Sequence, residues 1–133
     1  MVAGYLGPLG LSMYRFDHKL DLNSIVGAEV EQICCGRFDV QFRGSRFSIS
    51  VQSRLTLKEG DEVIGIWTPE DNWSSIAFQR LLKTPIMGFS VLTDRLLEIR
   101  FACGVVAHFH DDSEQYESLQ IYLPGDKVAP IVV

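Results

Sequence analysis

The sequence lacks several features that define common protein classes. It has no apolar run near the roughly 20 residues of a membrane-spanning helix. It contains no P-loop, no Gly-rich dinucleotide fingerprint and no nucleophile elbow. Its three cysteines are an odd number without a CxxC pair, so no disulfide framework is predicted. We expect free, reduced thiols in a cytoplasmic protein.

Basic charge is also scarce. The 133 residues carry 12 Lys and Arg against 17 Asp and Glu, a net charge of −5. Nucleic-acid-binding domains need a basic face, so a nucleic-acid partner is not expected. Residues 1–11 are apolar and Gly-rich but lack a basic n-region, so neither a signal peptide nor a membrane partner is expected.

Length and hydropathy predict one folded domain over residues 1–133. Hydrophobic residues make up 47% of the chain, enough for a packed core at this size. We expect residues 1–19 to form an N-terminal arm that is mobile or docks at a sheet edge.

Alternation of apolar and polar residues predicts strands along most of the chain. Residues 38–42 and 47–51 alternate around a glycine turn, and residues 97–101 and 105–109 do the same. One helix of two to three turns is predicted before Pro85. Its expected cap is Asp71 or Asn72, and its expected buried face comprises Trp73, Ile76, Ala77 and Leu81.

A weak internal repeat accompanies this pattern. Residues 25–30 parallel residues 86–91, and residues 38–42 parallel residues 97–101. The predicted fold is therefore mainly β with one short helix, in the α+β class. It consists of two packed antiparallel sheets, or a partly open barrel, built from two similar halves.

The negative charge is concentrated in one stretch. Four of the seven residues from Asp111 to Glu117 are acidic and none is basic. Without these four acids the net charge of −5 would be only −1. Concentrated charge of one sign focuses the field and steers a partner of opposite charge.

Three segments carry a resemblance to a known group. Residues 25–42, 47–53 and 111–121 are similar to the corresponding parts of a loose group of small bacterial β-rich proteins. Some members of that group look like immunity proteins, encoded beside toxins of contact-dependent inhibition and other polymorphic toxin systems. The resemblance covers most of residues 20–133.

The resemblance implies a non-catalytic function. We expect an immunity protein that binds a cognate toxin domain, in particular a nuclease, and covers its active site with an acidic surface. Basic phosphate-binding clefts attract such a surface, and an aromatic anchor adds to it. The chain is expected to have no catalytic residue, no metal and no cofactor. The predicted toxin-binding residues are Asp111, Asp112, Glu114, Tyr116 and Glu117.

Two alternatives remain open at this point. The first is a structural or regulatory β-module that associates with itself, as a homodimer, through edge strands or the N-terminal arm. The second is a small metal-dependent hydrolase that uses His108 and His110, which a strand would place on one face. Asp112 follows at a suitable offset, but Ser113 stands where a third histidine is needed. The neighbouring acids are expected to favour the protonated form of these histidines.

Overall fold

The computed structural model describes residues 15–70, 76–112, 118–123 and 131–133. Over these residues the chain forms ten β-strands and two short 3-10 helices, Asn23–Ile25 and Ile76–Leu81. The strands are β1 (Val30–Cys35), β2 (Val40–Gly44), β3 (Ser48–Val51), β4 (Leu55–Glu59), β5 (Glu62–Trp67), β6 (Ile86–Thr93), β7 (Leu96–Phe101), β8 (Val105–His110), β9 (Leu119–Tyr122) and β10 (Ile131–Val132).

These strands form two antiparallel sheets that pack around one core. The first sheet has the order β1-β2-β3-β9-β10, and the second has the order β5-β4-β8-β7-β6. Buried side chains of both sheets belong to a single hydrophobic cluster. The sheets do not close on themselves, so the mainly-β prediction with two packed sheets is confirmed and the barrel alternative is not.

Alternation explains which side chains enter the core. In β7 and β8, every second residue is buried, and the residues between them are half-buried on the outer face. Burial of about 25 cal/mol per Å² of apolar surface makes this inward row the main favourable contribution to folding. The largest fully buried side chain is Trp67, at the end of β5.

The two halves of the chain are interlocked. Each half supplies a three-stranded meander, β1-β2-β3 or β6-β7-β8, followed by a hairpin, β4-β5 or β9-β10. The hairpin of each half pairs with the meander of the other half, through β4·β8 and β3·β9. The predicted two similar halves are therefore present in the strand order, but neither half forms a sheet alone.

Equivalent hydrogen bonds mark the two places where the chain passes between the sheets. The backbone N–H of Gln52 donates to the carbonyl oxygen of Ser118 over 2.9 Å. In the other half, the N–H of His110 donates to the carbonyl oxygen of Arg54 over 3.0 Å. Between β3 and β4, every second side chain still points into the core, since Val51, Ser53 and Leu55 are all buried.

The predicted α-helix is wrong over the residues that the structure describes. Residues 71–75, which include the predicted cap and Trp73, lie outside the described residues. Residues 76–81 form a 3-10 helix that buries Phe78 and Leu81, while Ile76 is 82% exposed. Leu81 is buried as predicted and Ala77 is partly buried, but Phe78 takes the place of Ile76 on the buried side of this tighter helix.

Two strand predictions also change. Phe38 lies before β2 and not within it, and its side chain is 65% exposed. The guanidinium of Arg37 sits 5.1 Å from the centre of the Phe38 ring. The predicted last strand, residues 128–133, is described only over β10 and Val133, because residues 124–130 lie outside the described residues.

The N-terminal segment is attached from Arg15 onward. Phe16 is buried in the core cluster, and its backbone N–H donates to the carbonyl oxygen of Asp94 over 2.7 Å. Residues 1–14 of the predicted arm lie outside the described residues. No helix in the described part of the chain is long and apolar enough to cross a membrane.

Replacing Leu57 with alanine is expected to lower the free energy of unfolding by about 2–5 kcal/mol, because the change leaves a cavity in the shared core. Leu57 is fully buried in β4, whereas Leu92 in β6 is 46% exposed. The matched change Leu92→Ala should stay within about 0.5 kcal/mol of the original protein. Denaturant unfolding followed by circular dichroism measures both, and equal losses would contradict the core assignment.

Candidate functional site

The acidic stretch begins where β8 ends, and its first residue faces inward. Asp111 is only 1% exposed. Its Oδ1 accepts a hydrogen bond from Ser118 Oγ over 2.8 Å, and Arg15 Nη1 lies 3.0 Å from its Oδ2. We call Asp111, Ser118 and Arg15 the carboxylate clasp, because one buried carboxylate joins the N-terminal segment and both ends of the acidic stretch.

Backbone contacts reinforce the carboxylate clasp. The N–H of Asp111 donates to the carbonyl oxygen of Arg95 over 2.9 Å, and Arg95 Nη1 donates back to the Asp111 carbonyl oxygen over 3.4 Å. The N–H of Ser118 donates to the carbonyl oxygen of Val133 over 2.6 Å. Burial raises the pKa of Asp111, although the hydrogen bond from Ser118 and the charge of Arg15 act to lower it.

This placement corrects one predicted site residue. A carboxylate that is buried and doubly engaged cannot line a surface that meets a toxin, so that prediction is wrong for Asp111. The sequence carried a signal for it, because Val105, Ala107 and Phe109 are buried and Asp111 continues the same alternation. The prediction followed the acidic residues around Asp111 and overlooked this alternation.

Asp112 has the opposite environment. Its side chain is about half exposed and forms an ion pair with Arg54, whose Nε lies 3.1 Å from Oδ2. Exposed pairs of this kind contribute little to stability, and the Asp112 side chain stays at the protein surface. Glu114, Tyr116 and Glu117 lie outside the described residues.

The two strand histidines share the outer face of the second sheet. Their ring centres are 6.4 Å apart in an edge-to-face arrangement. His108 Nε2 lies 3.0 Å from Glu98 Oε1, and Arg100 Nη1 donates to the other oxygen of Glu98 over 2.8 Å. Burial acts to raise the pKa of Glu98, but the hydrogen bonds to His108 and Arg100 outweigh it and lower that pKa.

His110 is engaged at both ring nitrogens. Nε2 lies 3.2 Å from Thr56 Oγ1, and Nδ1 lies 3.2 Å from Arg54 Nη2. Burial, followed by the charge of Arg54, lowers the pKa of His110, although Asp112 acts in the opposite direction. The expectation that neighbouring acids favour the protonated form is therefore wrong for His110.

The hydrolase alternative requires a set of metal ligands around His108 and His110. A catalytic zinc site needs about three protein ligands and an open position. Within the described ranges, no group of three or more His, Cys, Asp and Glu side chains is arranged to hold a metal ion. The ring nitrogens of His110 are instead used by Thr56 and Arg54.

Two surface concavities were not predicted from the sequence. The first lies between β1 and the second 3-10 helix and has a volume of about 560 Å³. It is lined by Glu31, Gln32, Ile33, Cys35, Ile76, Phe78, Gln79 and Leu82. The second lies on the outer face of the first sheet and measures about 490 Å³. All three cysteines are free, and Cys35 is exposed in the first concavity.

Comparison of the chain with protein-family models, with curated proteins and with solved structures finds no match.

Replacing Asp111 with asparagine tests the pH dependence of the carboxylate clasp. Burial raises the folded-state pKa of Asp111 above its ordinary 3.8, so the folded state holds this proton more tightly than the unfolded state. The stability that this group adds is fully present below pH 3.8 and is lost as pH rises through the folded-state pKa. The advantage of the original protein over Asp111→Asn in unfolding free energy should therefore fall from acidic to neutral pH.

Asp112→Asn is the matched control for that measurement. The Asp112–Arg54 pair is exposed, so its loss should change stability by no more than about 1 kcal/mol. Denaturant unfolding at a series of pH values measures both variants. An advantage over Asp111→Asn that grows as pH rises would contradict burial as the dominant influence on Asp111.

Replacing Arg54 with glutamine is expected to raise the pKa of His110. The change removes the guanidinium that lies 3.2 Å from Nδ1 and disfavours protonation, while Asp112 still favours it. Titration of the imidazole signals by NMR measures the pKa. Lys58→Gln removes a cation from β4, the strand that follows Arg54, and should leave the pKa of His110 unchanged. An unchanged pKa in Arg54→Gln would show that Arg54 does not control this ring.

Proposed function

We propose that this protein is a non-catalytic binding protein of the immunity type. Its partner is a cognate toxin domain of a contact-dependent inhibition or other polymorphic toxin system, and the favoured toxin activity is a nuclease. The observation that carries the proposal is the carboxylate clasp. It fixes Asp111 and Ser118 to each other, so both ends of the acidic segment, residues 112–117, are anchored at the junction of the two sheets.

Charge supports this kind of partner. Residues 112–117 contain the acids Asp112, Glu114 and Glu117 together with Tyr116. A nuclease cleft that binds phosphate backbones is basic, and an acidic surface that covers it competes with the substrate for the same cations. Complementary potentials of this kind raise association rates strongly at low ionic strength.

The proposal gives different roles to the residues of the predicted set. Asp111 acts as a positioning residue, because its carboxylate is used inside the protein. Asp112, Glu114, Tyr116 and Glu117 are the proposed contact residues. In this proposal one acid anchors the segment, and the remaining acids contact the toxin.

Self-association is the second candidate. Strand β6 ends the second sheet in the described part of the chain and exposes Met87 and Leu92. However, its pairing with β7 shifts register between Ile86 and Gly88 and again between Val91 and Thr93. Bulges of this kind hinder the pairing of one edge with another, which argues against self-association through β6.

Binding to the C-terminal domain of a large secreted protein encoded directly upstream tests the proposal. The double change Glu114→Arg and Glu117→Arg should reduce the association rate constant at least about tenfold at low salt, because steering depends on complementary charge. The matched control reverses two exposed acids, Asp61 in the turn after β4 and Glu62 at the start of β5. That control should bind at the original rate.

Surface plasmon resonance at low and high salt measures both rate constants. Association that is fast at low salt, slows with added salt and is lost in the segment variant supports the proposal. Binding that is equally fast in the segment variant and in the control would reject the acidic segment as the interface. Absence of binding, together with concentration-dependent dimers, would favour the self-associating module.

A further inference from the structure

The second concavity is a shallow trough on the outer face of the first sheet. Two rows of directly paired residues cross β2, β3 and β9, with β3 in the middle. We call this surface the polar trough. Its residues are Gln41, Ser50 and Gln120 in one row and Arg43, Ser48 and Tyr122 in the other.

Side-chain size makes this surface concave. The central strand contributes only the short side chains of Ser48 and Ser50, and the long side chains stand on the strands to either side. Neighbouring strands are about 4.8 Å apart, so the two walls rise roughly 10 Å from each other. The open trough has a volume of about 490 Å³, within the size range of sites for small ligands.

Hydrogen bonds hold the walls in place before any ligand arrives. The carboxylate of Asp39 accepts from Gln41 Nε2 over 3.1 Å and from Ser50 Oγ over 3.4 Å. Gln41 Oε1 in turn accepts from Arg43 Nη2 over 2.9 Å. On the opposite wall, the Tyr122 hydroxyl donates to Gln120 Oε1 over 3.1 Å. Preorganised side chains lower the entropic cost of binding.

The chemistry of the trough selects a hydroxyl-rich ligand. Amide and hydroxyl groups both donate and accept hydrogen bonds, as the neighbouring hydroxyls of a sugar ring do. The half-exposed ring of Tyr122 adds one apolar surface with a polar tip. The lining contains no aliphatic side chain, whereas protein interfaces centre on clusters of buried apolar and aromatic anchors.

Arg43 adds a positive charge to the polar trough. Its guanidinium donates to the neutral amide of Gln41, while the nearby carboxylate of Asp39 is engaged by Gln41 and Ser50. The ion pairs among the described residues join carboxylates to other cations, and none of them includes Arg43. A planar guanidinium recognises carboxylates with two parallel hydrogen bonds.

We propose that the polar trough binds an acidic saccharide. Arg43 binds the carboxylate of a uronic acid unit, and Gln41, Ser48, Ser50 and Gln120 bind ring hydroxyls. Tyr122 packs against the sugar ring. This site is separate from the acidic segment and does not depend on the proposed toxin binding.

The outer face of the second sheet shows why the proposal applies to one sheet only. At the equivalent strands, Glu98 is already paired with Arg100 and His108. Those charges satisfy each other, so neither Arg100 nor His108 is left to bind an external carboxylate. The two halves of the fold thus share a strand order but differ in the chemistry of their outer surfaces.

Titration of the isotope-labelled full chain with digalacturonic acid, followed by NMR, tests the proposal. We expect saturable shifts of the backbone amides of the polar trough. The neutral dimethyl ester of the same disaccharide should bind at least about tenfold more weakly, because a hydrogen-bonded charge pair is worth about 1.5–3 kcal/mol. Arg43→Gln should weaken binding of the free acid by a similar factor.

Two further variants control for the position of the site. Ser50→Leu fills the floor of the polar trough and should abolish the shifts. Arg46→Gln removes a cation from the same hairpin, where Arg46 Nη2 donates to the carbonyl oxygen of Val26, and should bind like the original protein. Absence of saturable shifts with digalacturonic acid would overturn the proposal. So would equal binding of the ester, or binding that survives both Arg43→Gln and Ser50→Leu.

Discussion

The pairing of β3 with β9, and of β4 with β8, is the constraint on which the rest of this structure depends. Each pairing joins a strand of one half of the chain to a hairpin of the other half. Both sheets therefore require both halves, and the single core forms only when the two exchanges are complete. Hydrophobic burial supplies the stabilisation, but the β3·β9 and β4·β8 pairings determine which buried side chains of the two halves contact each other.

Both proposed functional surfaces depend on the same constraint. The chain leaves β8 at the junction of the sheets, and there the carboxylate clasp anchors the acidic segment beside Ser118, just before β9. Once β9 pairs with β3, Gln120 and Tyr122 stand opposite Gln41 and Arg43 across the two serines. Strand β9 thus begins just after the proposed toxin-binding segment, and it also forms one wall of the proposed saccharide site.

The sequence predicted the periodic features of this fold and missed the features that depend on distant partners. Alternation identified most strands, and the repeat indicated two similar halves. The predicted α-helix was wrong because residues 76–81 form a 3-10 helix. Apolar residues three apart occur on both kinds of helix, so the sequence could not distinguish them over so short a segment. Asp111 was assigned by the charge of its neighbours, although its parity follows Phe109 into the core. The polar trough depends on β3 and β9, which are far apart in sequence, so no local pattern revealed it.

The interlocked order of the halves has a consequence for synthesis on the ribosome. The meander β1-β2-β3 emerges early, yet the strand that pairs with β3 is β9, nearly 70 residues further along the chain. Contacts of such long sequence separation slow folding. Until β9 emerges, the nascent chain presents an unpaired strand that other chains can join, and exposed strand edges promote aggregation. Binding of a chaperone to the nascent chain would protect this edge, and slower translation would lengthen the time for which β3 stays unpaired.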